Sequence, residues 1–143
     1  MSGTVSVIDS NSGSKARDMP VGELPAYIVV TPLHNKIYVA NRDSNTVSVI
    51  NGNTDTEIEQ TVGTRPIYIM FVGQNKIYVA NYGSNTVSVI NATNDKKEPL
   101  DIPVGSGPTS ILYGGNNKIY VANYGSNTVS LINATNDKKE PLL

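Results

Sequence analysis

Apolar residues along this chain fall in short runs that alternate with polar punctuation. Segments of five to eight residues rich in Val, Ile, Tyr and Thr are separated by Gly, Asn, Asp or Pro, which is how strands and turns are written. No window carries the 3.6-residue apolar period of a helix. In Lys36-Ile-Tyr-Val-Ala40, Ile37 and Val39 point to one side and Tyr38 and Ala40 to the other. Both sides are apolar, so this strand belongs to a sheet covered on both faces. The segment Thr46-Val-Ser-Val-Ile50 alternates apolar and polar residues and is expected to be a half-buried outer strand.

The pattern repeats. Asn35-Lys-Ile-Tyr-Val-Ala-Asn41 recurs at Asn75 and again at Asn117, spacings of 40 and 42 residues, and each copy is followed by Ser-Asn-Thr-Val-Ser. Four strands fill each period. Strand A is expected at 25–32, 66–72 and 108–113, and strand B at 36–40, 76–80 and 118–122. Strand C is expected at 4–8, 46–50, 86–90 and 128–132. Strand D is expected at 17–21, 57–62 and 100–104, with a stub at Pro141-Leu142-Leu143. A four-stranded antiparallel sheet repeated about every 40 residues and buried on both faces is a β-propeller blade. The fold class is therefore all-β, about three and a half blades in one array: a partial blade at 1–22, blades at 23–63 and 64–105, and at 106–143 a blade lacking most of its last strand. Residues 75–100 and 117–142 differ only at Val89 against Leu131, which points to tandem duplication or to design.

Ile-Tyr-Val-Ala-Asn followed by Tyr-Gly or Arg-Asp and then Ser-Asn-Thr-Val-Ser-Val-Ile resembles the YVTN β-propeller repeat of archaeal surface-layer and related cell-surface proteins. The Val-Gly-x-x-Pro segments at 21–25, 62–66 and 104–108 fit the same repeat at its D-to-A turn. The resemblance implies a propeller and an extracellular or cell-surface location. It also implies closed rings of about seven blades, more than this chain supplies. The Pro-Asp-Gly turn usual after strand A is replaced by Leu33-His34, Gly73-Gln74 and Gly115-Asn116.

Three A–B pairs and four C strands cannot close a ring alone, since closure needs about four blades. The expected partner is a second copy of the chain, the alternative being that the sequence is an excerpt of a longer propeller. Two chains form either a six-bladed dimeric ring, in which the first C–D hairpin of one copy competes for the last blade of the other, or an open filament. Cell-surface proteins or glycans are further expected partners.

Composition narrows the chemistry. Lys plus Arg is 11 against 12 Asp plus Glu, which leaves no electrostatic footprint for nucleic acid, and no apolar run is long enough for a membrane span. Cys is absent and His34 stands alone at a turn, so no cofactor, no metal centre and no catalytic residue is expected, and the chain is read as non-enzymatic. The alternative is an enzyme-like propeller resembling streptogramin lyases or quinone-dependent dehydrogenases. Those place their sites at the central channel, where strand A here supplies Tyr27, Tyr68 and Ser110. The candidate partner-binding residues are Glu23, Arg42, Asp43, Arg65, Tyr82 and Tyr124, all in D–A and B–C turns at one end of the blades. Asn91-Ala-Thr93 and Asn133-Ala-Thr135, in C–D turns at the other end, are N-glycosylation sequons. Lys96-Lys97 and Lys138-Lys139 read as solvated loop, and Asn41 and Asn45 as turn residues that bond backbone.

Overall fold

The computed structural model describes residues 3–73 and 75–141, and among these there are strands and turns but no helix. The strands are β1 (Gly3–Ile8), β2 (Lys15–Val21), β3 (Pro25–Thr31), β4 (Lys36–Asn41), β5 (Thr46–Asn51), β6 (Thr56–Thr61), β7 (Pro66–Val72) and β8 (Lys76–Asn81). They continue as β9 (Thr86–Asn91), β10 (Lys96–Lys97), β11 (Ile102–Pro103), β12 (Pro108–Tyr113), β13 (Lys118–Asn123), β14 (Thr128–Asn133) and β15 (Lys138–Glu140). Every pairing is antiparallel between sequence neighbours, apart from the split fourth strand of the middle blade. The hairpin β1–β2 precedes the blades β3–β6, β7–β11 and β12–β15, here called the first, second and third.

The blades stack face to face. Tyr38, Ala40, Val47 and Val49 of the first blade close on Ile69, Ile77, Val79 and Ile90 of the second. Tyr78, Ala80, Val87 and Val89 on the other side of the second blade close on Ile111, Ile119, Val121 and Ile132 of the third. Met19 and Val21 of the leading hairpin cover Val39 and Ile50. The two-sided apolar character of strand B thus becomes two interfaces, each buried aliphatic side chain contributing about 1.5–3 kcal/mol.

Strand C differs from the half-buried expectation. In the first two blades Val47 to Ile50 and Val87 to Ile90 are all buried, serines included. The reason is an amide at the end of strand B. Asn41 lies 3.1 Å from Thr46 Oγ1 and 2.9 Å from Ser48 Oγ, and Asn81 and Asn123 repeat the arrangement with Thr86/Ser88 and Thr128/Ser130. The hydroxyls that looked solvent-facing are satisfied internally. The outermost strand with exposed polar residues is strand D, as Glu59 in β6 shows.

The change of spacing from 40 to 42 residues also has a structural meaning. In the first blade six residues, 56–61, lie opposite β5 one for one. In the second, the eight residues from Lys96 to Pro103 span the same length of β9, so strand D breaks into β10 and β11 around Glu98 to Asp101. The strand expected at 100–104 is therefore two short pieces, and Lys96-Lys97, read as loop, begins it. Likewise the third blade's last strand is Lys138–Glu140 rather than the expected stub, of which Leu142 and Leu143 lie outside the described residues.

Candidate functional site on the turns and blade faces

The D–A and B–C turns lie together at one end, joined by backbone bonds. Arg42 N donates to Leu24 O at 2.9 Å and Asp43 N to Glu23 O at 3.2 Å, while Tyr82 N donates to Arg65 O and Tyr124 N to Gly107 O. The six candidate residues fall into three groups along this rim. Glu23, Arg42 and Asp43 sit on the first blade, Arg65 and Tyr82 on the second, and Tyr124 on the third. Arg42 and Asp43 approach at 3.8 Å. Tyr82 leans over Gly107 of the next blade, whose added Cβ would come within 3.1 Å of the ring. Tyr124 stands exposed. Asn45 behaves as a turn residue: its side-chain oxygen accepts the Arg65 N–H at 2.9 Å, and Asn85 does the same for Gly107.

The A–B and C–D turns form the other end, through bonds such as Gly52 N to Asn35 O and Ala92 N to Asn75 O. Both sequon asparagines close their own turns, Asn91 Oδ1 accepting from Thr93 N and Asn133 Oδ1 from Thr135 N at 2.9 Å. The Asn133 amide nitrogen also donates to Glu140 Oε1.

The inner strands line the channel side. Tyr27 and Tyr68 meet across the first two blades with ring centroids 4.3 Å apart. The Tyr68 hydroxyl holds the Tyr27 phenol above its ordinary value. Residues 25–31, 66–72 and 108–113 contain no Asp, Glu, His, Lys or Arg. Among the described residues no group of three or more His, Cys, Asp or Glu could hold a metal ion.

A polar device between blades escaped the sequence reading. Lys36 Nζ donates to Asp95 Oδ2 at 2.7 Å and to Ala92 O at 3.2 Å, and Tyr38 OH donates to Asp95 Oδ1 at 2.7 Å. Lys76 and Tyr78 hold Asp137 and the Ala134 carbonyl in the same way. Each clasp links strand B of one blade to the C–D turn of the next. Burial, and then the carboxylate, push the Tyr38 and Tyr78 phenols well above the usual tyrosine range. The signal was present as the recurring Asn-x-x-x-Asp of the C–D turns, at 51–55, 91–95 and 133–137.

A groove of about 510 Å³ lies between the broken strand D, Glu98 to Pro103, and the turn Asn136 to Lys139. Asp101, which lines it, pairs with Lys97 at 2.8 Å, and Ser88 Oγ donates to the same carboxylate. Leu100 is exposed on its rim.

No curated protein matches the chain. Among solved structures it is similar to hydrazine synthase from Kuenenia stuttgartiensis, at a TM-score of 0.85 and 24% identity over 96% of this chain and 42% of that one. It is also similar to virginiamycin B lyase from Staphylococcus aureus, at 0.78 and 17% over 97% and 48%. A protein of unknown function from Desulfotomaculum acetoxidans DSM 771 gives 0.78 and 18% over 98% and 48%. The chain spans less than half the length of these structures, and the likeness is one of fold. Residues 4–104 match the family described as lactonase, 7-bladed β-propeller, so the chain belongs to that family.

Proposed function

We propose that the chain acts as a non-enzymatic propeller module at the cell surface or outside the cell, serving structure, adhesion or protein recognition and assembling through its uncovered blade faces. The observation that carries this reading is apolar surface at both ends of the stack. Ile28 and Val30 on the first blade are 50% and 51% exposed and Leu112 on the third is 62% exposed, whereas their counterparts inside the stack are covered. Patches of this kind on a repeat array mark contact surfaces. The turn rim with Arg42, Asp43, Arg65, Tyr82 and Tyr124 then faces partners. Asn91 and Asn133 would carry glycans on the opposite end. The test is solution mass by light scattering across a concentration range: association is expected, and a monomer at every concentration would overturn the reading.

A second reading is favoured by the family itself, whose description names a lactonase. On that reading the channel wall, which offers only tyrosine as an ionisable group here, would leave acid–base work to a turn residue such as Asp43, with Arg42 beside it as a fixed positive charge. Lactone ring-opening by the purified chain, lost in Asp43→Asn, would favour it.

A further inference from the structure

One ring contact crosses from blade to blade on the channel side. Tyr27 and Tyr68 occupy the same position in successive inner strands. Each follows the irregular step after the strand's first proline and lies opposite a strand B alanine, Tyr27 opposite Ala40 and Tyr68 opposite Ala80. Their rings meet with centroids 4.3 Å apart and planes tilted by 38°. That is the short end of the ~4.5–7 Å usual for aromatic pairs. The hydroxyls interact as well, which holds the Tyr27 phenol up, so the ring edges beside the two oxygens lie at the same end of the pair. The contact joins two complete blades, β3–β6 and β7–β11.

The other tyrosines are placed differently. Tyr38 and Tyr78 are buried, and their hydroxyls are bound to Asp95 and Asp137. In the third inner strand the matching position, opposite Ala122, is Ser110, so Tyr68 meets no second ring on its far side. Among the described residues no other pair of aromatic rings is in contact. Tyr27 is 38% exposed and so open to a small oxidant. The chain has no Cys, so no disulfide can join its blades and no thiol competes for that oxidant.

We propose that Tyr27 and Tyr68 form an oxidative cross-linking site, at which a one-electron oxidant couples the two rings into a dityrosine that ties the first blade to the second. Each phenol gives up one electron and its hydroxyl proton and becomes a phenoxyl radical, with spin on the Cε carbons beside the oxygen. The radicals join by a new bond between one Cε of each ring. The hydrogen on each joined carbon then passes through solvent to the phenolic oxygen of its own ring, and both phenols are restored. The pair has lost two electrons, taken by two equivalents of the oxidant, and two protons, taken by water. The bond closes a loop from residue 27 to residue 68 and so removes conformations from the unfolded chain, as a disulfide would.

This inference stands apart from the assembly reading, because the bond forms within one chain. The dilute chain is oxidised with photogenerated tris(bipyridine)ruthenium(III), with persulfate as the electron sink, and the product of single-chain mass is isolated on a denaturing gel. That band should show dityrosine fluorescence and yield one joint peptide, tryptic fragments 18–36 and 43–76 at their summed mass less two hydrogens. Oxidation of Met19 or Met70 adds oxygen and is told apart by mass. The cross-linked chain should also unfold at higher urea than the untreated one. Tyr27→Phe and Tyr68→Phe, each with an unchanged circular dichroism spectrum, should abolish the joint peptide, whereas Tyr124→Phe should leave it in place. Absence of the joint peptide from the wild-type chain, or an equal yield in Tyr27→Phe or Tyr68→Phe, would overturn the site.

Discussion

Asp95 and Asp137 show how one residue type serves two needs. The C–D turn requires positive φ, a conformation in which Gly is cheapest and which Asp and Asn tolerate better than other residues. Gly13 takes that position where no clasp is made, while Asp95 and Asp137 take it where a carboxylate receives Lys and Tyr from the preceding blade. The receiving phenols carry the consequence. Tyr38 and Tyr78 hold their protons above the ordinary value near 10, so in the unfolded chain they ionise first. Their contribution to stability is therefore complete below about pH 10 and is lost as pH rises beyond it, because only the unfolded state releases these protons. In an alkaline absorbance titration, two of the eight tyrosines should ionise only with unfolding. In Tyr38→Phe the loss of stability above pH 10 should be shallower.

Within an element, the glycine of each D–A turn is fixed by close approach to its neighbours. A Cβ on Gly63 would lie 2.4 Å from Ser84 Oγ and 2.6 Å from the Asn81 amide, the group that satisfies the strand C hydroxyls. Gly63→Ala should cost about 1–3 kcal/mol in urea unfolding, as overpacking does. Gly73→Ala, where an added Cβ meets nothing within 4 Å, should change stability by no more than about 0.5 kcal/mol. The Val-Gly-x-x-Pro pattern was plain in the residues, but its reason was not, because Asn81 and Ser84 stand some twenty positions away along the chain. The broken strand D was equally hard to place. The two-residue change in spacing was visible, and only the pairing of both Lys97 and Ile102 with β9 shows that the extra residues bulge between two paired ends.

At the scale of the whole molecule, stability is graded along the stack. Each blade contacts only its neighbours, and the second alone is covered on both sides by complete blades. Hydrogen exchange should therefore be slowest in β8 and β9. It should be faster in β1–β2 and in β13–β14, where Val129 is 45% exposed although its counterpart Val87 is fully buried. Equal protection in all blades would show that the outer faces are covered in solution.

By itself the sequence determined the strand types, their order, the blade as the unit and the end at which each turn lies. These follow from period-two apolar patterning and local turn chemistry, which act over a few residues. It also carried, through Ile-Tyr-Val-Ala-Asn and its recurrence, the resemblance to a β-propeller repeat. The tertiary structure alone decided which side chains meet between blades. Lys36 and Asp95 are 59 positions apart, and nothing local distinguishes Asp95, which is clasped, from Asp55, which is not. It also decided that strand C is buried through its centre in the first two blades and that Ile28, Val30 and Leu112 are half or more exposed. Exposure depends on which blade comes next, and that is a property of the stack.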